Sequence, residues 1–311
     1  MLPVLKSKSL GSRLSKAFYE YRYRYLLIIP GIIFFIVFCY LPMVGNIMAF
    51  ENFSYAKGIF KSEWVGLDNF KMALKDYLFL SAFKNQIIIS FFKMFIVFPM
   101  PIILSLLLNQ MMYLRMKRIY QTILTFPHFI SWVIVFGIFY SLLSDSGVVN
   151  QILVAVGMEK QNILTSATMF RPLLYLSDIW KEVGWESIIY LAALTGINPE
   201  LYQASSIDGA NRWKQLIHVT WPGIQGLISL MFILNVGHMM SNGFYQILNL
   251  YNPMVYEVAD TIDTYVFRTG IQGGAEFGYT TAIGLFKGVI NLVLLYSANF
   301  IMKQLNEEGL F

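Results

Sequence analysis

The chain has 311 residues, of which 57% are hydrophobic and only 13% charged, with a formal net charge of +5. An average soluble domain is nearer ~45–50% apolar and ~25% charged, so this composition excludes an ordinary water-soluble domain and makes lipid the solvent for much of the chain. A single cysteine, Cys39, and three histidines exclude an internal disulfide frame and leave little for a metal ion.

The first apolar run covers about 25–50, after a basic segment, 1–24, that carries Lys6, Lys8, Arg13, Lys16, Arg22 and Arg24. It is longer than a signal-peptide core and no small-x-small cleavage site follows, so a retained first span is expected. Further apolar runs lie near 85–109, 119–143, 170–195, 221–247 and 277–302. Each meets the ~20 residues that a helix needs to cross a bilayer. Helices are expected because backbone groups in hydrocarbon must pair within their own segment. Period-two alternation is absent, which argues against a barrel. The expected fold class is therefore all-α, with about six transmembrane helices in one membrane domain over 25–302 and a tail at 303–311.

Basic residues set the orientation. With the N-terminus inside, the inner segments 1–24, 110–118, 196–220 and 303–311 hold twelve Lys and Arg against five acids. The outer segment 248–276 holds Arg268 against Glu257, Asp260, Asp263 and Glu276. Both ends are thus expected in the cytoplasm. This distribution between spans, rather than along one face, argues against nucleic acid as a partner. Pro30 and Pro42 flank the first span, Pro99 and Pro101 break the second, and Gly184 punctuates the fourth. Gly278, Ala282, Gly284 and Gly288 give the sixth a small-residue register suited to close helix packing.

The most informative stretch is Asn198 to Pro222, NPELYQASSIDGANRWKQLIHVTWP. Asn198 suits a helix cap, Pro199 the first helical position and Glu200 the positive end of the dipole. Gly209 permits a turn, and a second amphipathic segment follows with Trp213, Leu216 and Ile217 on one side. Two short helices with a glycine corner make a protruding knob over 196–222, suited to receive force from a soluble partner.

This stretch resembles the cytoplasmic signature of ABC importer permeases: Glu-Ala-Ala, three residues, Gly, nine residues, Ile, one residue, Leu-Pro. The spacing is met by Gln203-Ala204-Ser205, Gly209, Val219, Trp221 and Pro222, with Gln203, Ser205, Val219 and Trp221 differing in identity. LYQASSIDGA, together with WKEVGWESIIYLAAL at 180–194 and the run from Asn249 to Lys287, is similar to the carbohydrate branch, the lipo-oligosaccharide-transport-like type. The resemblance covers about 25–300. It implies that Glu200, Gln203, Ala204, Ser205, Asp208, Gly209, Arg212 and Pro222 belong to a coupling helix that docks on a separate ATPase. It also implies a second permease, two ATP-binding subunits holding ATP and Mg, an extracytoplasmic solute-binding protein, and a bacterial plasma-membrane location. No Walker P-loop occurs in the chain, so no cofactor is expected on it and hydrolysis must come from elsewhere.

Ionisable groups within spans are costly and each needs a reason. Asp178, Lys181, Glu182 and Glu186 fall in the fourth span, with Lys181 and Asp178 three apart and able to pair. Sugars want aromatic platforms beside polar groups, so Trp180, Trp185, Glu186 and Tyr190 are candidate pathway residues. Asn235, His238, Asn242 and Tyr245 in the fifth span follow 3-4-3 spacing and share a helical face. That stripe either lines a pathway or braces the bundle by hydrogen bonds. Lys93 and Lys287 are read as snorkelling to an interface. A secondary transporter remains an alternative, although no internal repeat supports it, as does an ABC permease for peptides or amino acids. An embedded glycosidase using Glu182 and Glu186 lacks a soluble cleft.

Overall fold

The computed structural model describes residues 19–241, 243–273 and 276–305. Lys6, Lys8, Arg13, Lys16, Asn242, Glu307 and Glu308 lie outside the described residues. Apart from a two-residue antiparallel pairing of β1 (Glu51–Asn52) with β2 (Glu63–Trp64), the regular structure of the described residues is helical. In chain order the helices are α1 (Arg22–Phe50), α2 (Asp68–Ala73), α3 (Tyr77–Asn109), α4 (Leu114–Thr125), α5 (Trp132–Leu143) and α6 (Val148–Ala155). They continue with α7 (Ala167–Thr195), α8 (Pro199–Ile207), α9 (Arg212–Gly237), α10 (Phe244–Leu250), α11 (Tyr256–Ala259), α12 (Ile262–Val266) and α13 (Phe277–Gln304).

Among the described residues, five segments are long and apolar enough to cross a membrane: α1, α3, the Trp132–Ala155 pair, α9 and α13. The fourth expected span is α7, whose 29 residues suffice in length. Its Arg171, Asp178, Lys181, Glu182 and Glu186 keep it out of that apolar class.

Two expected spans are not continuous helices. The run 119–143 is broken at Ile130–Ser131, where a short 3-10 turn (Phe126–Phe129) ends and the Ser131 hydroxyl caps α5. The run 221–247 stops at Gly237, and Gly243, at φ 91°, restarts it as α10. The second span begins earlier than its apolar run, because the Asp76 carboxylate accepts the Leu78 amide at 2.8 Å and caps α3.

Prolines stand beside two of the irregular turns. Pro42 and Pro222 each come one residue after a π-helical turn, Ile36–Tyr40 and Leu216–Thr220. Proline lacks the amide hydrogen and its ring clashes with the carbonyl four residues back, and one extra residue in the turn relieves that clash. At Pro99, α3 bends, and the Val97 and Phe98 amides both turn to the Lys93 carbonyl, at 2.8 and 3.1 Å.

Packing centres on α7 against α3. Ile102, Leu108, Tyr190, Leu191, Leu194 and Ile224 form one buried cluster, and Ile89, Phe170, Leu174 and Ile247 anchor another nearer the other end. Gly184 lets α4 approach α7: a β-carbon there would lie 2.0 Å from the Leu124 carbonyl oxygen. Of the expected small-residue register in α13, Gly278 meets the backbone of Glu51, whereas Gly284 and Gly288 face open space.

Candidate functional site

Asp178, Glu182 and Glu186 stand one turn apart on α7 and line a cavity of about 330 Å³. Opposite them lie Lys93, Val97 and Phe98 of α3, Trp132 of α5, Asn235 of α9 and Phe244, Tyr245 and Gln246 of α10. Three of the helix interruptions border this space: Val97 and Phe98 stand at the α3 break, Trp132 follows the Ile130–Ser131 break, and Asn235, Ser241 and Gly243 flank the gap between α9 and α10.

Lys93 is buried, with its ammonium 2.7 Å from the Asp178 carboxylate and donating to Gln246 Oε1 at 2.7 Å. Gln246 in turn donates to the Leu174 carbonyl at 2.7 Å and to Ser177 Oγ at 2.8 Å. Three helices thus share one satisfied network, the condition under which a buried charge is tolerated.

The expected pairing of Asp178 with Lys181 does not occur. Lys181 instead contacts Glu182 at 2.9 Å and donates to the His128 carbonyl at 2.7 Å. That carbonyl stands in the 3-10 turn between α4 and α5, which leaves it open to the ammonium. His128 Nδ1 lies 2.5 Å from Glu182, and its ring stacks on Trp185 with centroids 4.4 Å apart. Trp132 sets its face 5.4 Å from the Lys181 ammonium.

Of the eight candidate pathway residues, Glu186, Asn235 and Tyr245 line the cavity. Trp180 packs on Phe139, Trp185 on His128, and Tyr190 is buried in the apolar cluster. His238 caps the end of α9 and contacts the Leu234 carbonyl, and Tyr245 belongs to α10, so Asn235, His238 and Tyr245 do not lie on one continuous helix. Lys93, Trp132, Asp178 and Glu182 were not among those candidates. The signal for Lys93 was its charge within an apolar run; its partner lay on another helix.

The 198–222 stretch forms an elbow. Asn198 accepts the Glu200 amide at 3.0 Å and opens α8, and Gly209 turns the chain at φ 75°. The expected second short helix is instead the foot of α9, which runs without a break from Arg212 through Pro222 to Gly237. Glu200, Gln203, Ala204, Asp208, Gly209, Arg212 and Pro222 are exposed, while Ser205 is half-buried and donates to the Tyr202 carbonyl.

Long apolar helices around a charged interior define a polytopic helical membrane protein. Residues 97–307 match the model of the family described as binding-protein-dependent transport system inner membrane component. The chain is 40% identical over 309 residues to the polygalacturonan/rhamnogalacturonan transport system permease protein YteP of Bacillus subtilis (strain 168), covering 99% of this chain and 96% of that one. It is 40% identical over 291 residues to Protein LplB of the same organism, covering 93% and 91%. The solved structure of a bacterial ABC transporter involved in the import of the acidic polysaccharide alginate has a chain that matches with a TM-score of 0.88 at 39% identity, over 95% of this chain and 100% of that one. The chain belongs to the binding-protein-dependent transport system inner membrane component family. It is a permease subunit of a bacterial inner-membrane transport system.

Proposed function

We propose that this permease forms, with a second and different permease, the pathway by which an ABC importer takes up oligosaccharides or polysaccharide fragments. Two separate ATP-binding subunits hold ATP and Mg and supply the work, and a solute-binding protein outside the membrane delivers the sugar. The Lys/Arg bias supports an orientation with both chain ends and the 196–222 elbow in the cytoplasm. In that orientation α8 offers Gln203, Ala204, Ile207 and Asp208, all exposed, to an ATPase groove.

The cavity fits sugar chemistry. Trp132 and Tyr245 supply ring faces for C–H groups, and Glu186 and Asn235 supply hydrogen-bonding groups for hydroxyls. The observation that carries the reading is the end-to-end likeness, over 309 residues, to a permease named for polygalacturonan and rhamnogalacturonan. The test is uptake of labelled oligogalacturonides into proteoliposomes holding the complete assembly. ATP-driven uptake that requires the binding protein is expected. Uptake that persists without the ATPase subunits overturns the reading.

A further inference from the structure

The elbow is stitched to the foot of α9 by one closed set of hydrogen bonds. Tyr202, on the inner face of α8, places its hydroxyl 3.0 Å from Thr220 Oγ1. Thr220 is 2% exposed and its hydroxyl donates to the Gln215 carbonyl at 3.3 Å, so the phenol is the donor to Thr220. The Gln215 side chain returns across the gap and donates to Ser206 Oγ at 2.8 Å and to the Tyr202 carbonyl at 3.4 Å. Gln215 and Thr220 bracket the π-helical turn Leu216–Thr220, where the Trp221 amide reaches back to the Leu216 carbonyl and Pro222 follows.

Two properties meet here. A π-turn next to a proline departs from the regular ladder and is a point at which an otherwise continuous helix can bend. The side-chain lock spans that point and fixes α8 to both of its ends. The opposite face of α8, with Leu201, Ala204, Ile207 and Asp208, makes none of these bonds and is open. A push on the open face therefore reaches α9 through Tyr202, Gln215 and Thr220, or is absorbed in the glycine turn at Gly209.

We propose that Tyr202 is a positioning residue for transport: its hydroxyl, donated to Thr220, locks α8 to the π-turn so that force on the elbow turns α9 rather than flexing the turn. Beside the lock, Leu216, Trp213 and Arg212 line an apolar groove with Ile103, Leu106 and Leu107 of α3. The proposal rests on the importer reading above, and its test separates the two.

The test uses the complete assembly in proteoliposomes, with ATP hydrolysis and sugar uptake measured on the same sample. In a parallel sample, Ile207→Cys is cross-linked to the ATPase subunit to report docking. For Tyr202→Phe, cross-linking and ATP hydrolysis are expected to stay near wild type, while sugar moved per ATP falls roughly three- to tenfold, the scale of one lost hydrogen bond. Thr220→Val is expected to match it and Thr220→Ser to restore coupling. Wild-type transport per ATP in both Tyr202→Phe and Thr220→Val overturns the lock. Equal loss of cross-linking, hydrolysis and uptake in Tyr202→Phe also overturns it, since Tyr202 then acts through docking. Absence of the cross-link in the otherwise unaltered assembly counts against the importer reading instead.

Discussion

Lys93 and Asp178 meet 2.7 Å apart across the seam between α3 and α7. Neither charge is tolerable alone in the apolar interior. Lys93→Met strands the Asp178 carboxylate and is expected to destabilise the fold by about 3 kcal/mol, the lower end for a broken buried pair. Lys93→Met with Asp178→Leu removes both charges and is expected to recover most of that loss. Thermal unfolding of the purified protein in detergent reads both. A double variant no more stable than the single one would mean that the pair is not a charge-balancing contact.

A second carboxylate makes a pH-dependent contact outside the spans. Asp76 caps α3 and accepts hydrogen bonds from the hydroxyls of Tyr265 and Tyr279, the latter at 2.8 Å. Burial pushes its carboxyl up, but the two phenols and the Leu78 and Phe79 amides together outweigh burial and hold it below the usual carboxylate value. A depressed folded value means that ionised Asp76 stabilises the fold above the unfolded value, near ~4. That contribution is lost as pH falls through the folded value. Asp76→Asn is therefore expected to melt below wild type at neutral pH, with the gap closing on acidification below about pH 4. Melting curves of both proteins across that range decide it; a gap that stays constant would remove the carboxylate from the argument.

The sequence makes five of the six expected spans legible as long apolar helices, because lipid demands long apolar runs and little else. It also makes the elbow legible, through the cap at Asn198 and the glycine at 209, which act on their own neighbours. What it hides is set by tertiary packing. The break at Ile130–Ser131 ends a 3-10 turn that holds Pro127, but its position depends also on the Ser131 cap and on Lys181 taking the His128 carbonyl. Which tryptophan faces the cavity depends on how α5 and α7 are rotated about their axes. Trp180 and Trp185 sit beside the right carboxylates in sequence, yet Trp132, from another helix, lines the space. Asp178 finds its cation 85 positions away for the same reason.

That rotation gives a test of the pathway. Trp132→Ala is expected to lower uptake of labelled oligosaccharide roughly three- to tenfold, the scale of one aromatic contact, and Glu186→Gln to lower it in the same direction. Trp180→Ala, packed on Phe139, is expected to leave transport near wild type. Initial uptake rates in proteoliposomes, normalised to assembled complex, compare the three. A larger loss from Trp180→Ala than from Trp132→Ala would move the pathway to the other side of α7.

Gly209 isolates the backbone of the elbow from its surroundings. It has φ 75°, and a β-carbon built on it would touch nothing within 4 Å. A side chain there is opposed by left-handed backbone geometry alone, at about 1–2 kcal/mol for most residues. Asparagine visits that region readily, whereas a β-branched residue does not. Gly209→Val is expected to abolish uptake while the chain still inserts and assembles, because α8 must leave its place to relieve the strain. Gly209→Asn, equally far from glycine in size but able to hold the turn, is expected to retain most of the transport. Uptake by both variants, with membrane insertion checked by fractionation, tests whether the shape of the turn matters. Full activity in Gly209→Val would mean that force does not pass through this elbow.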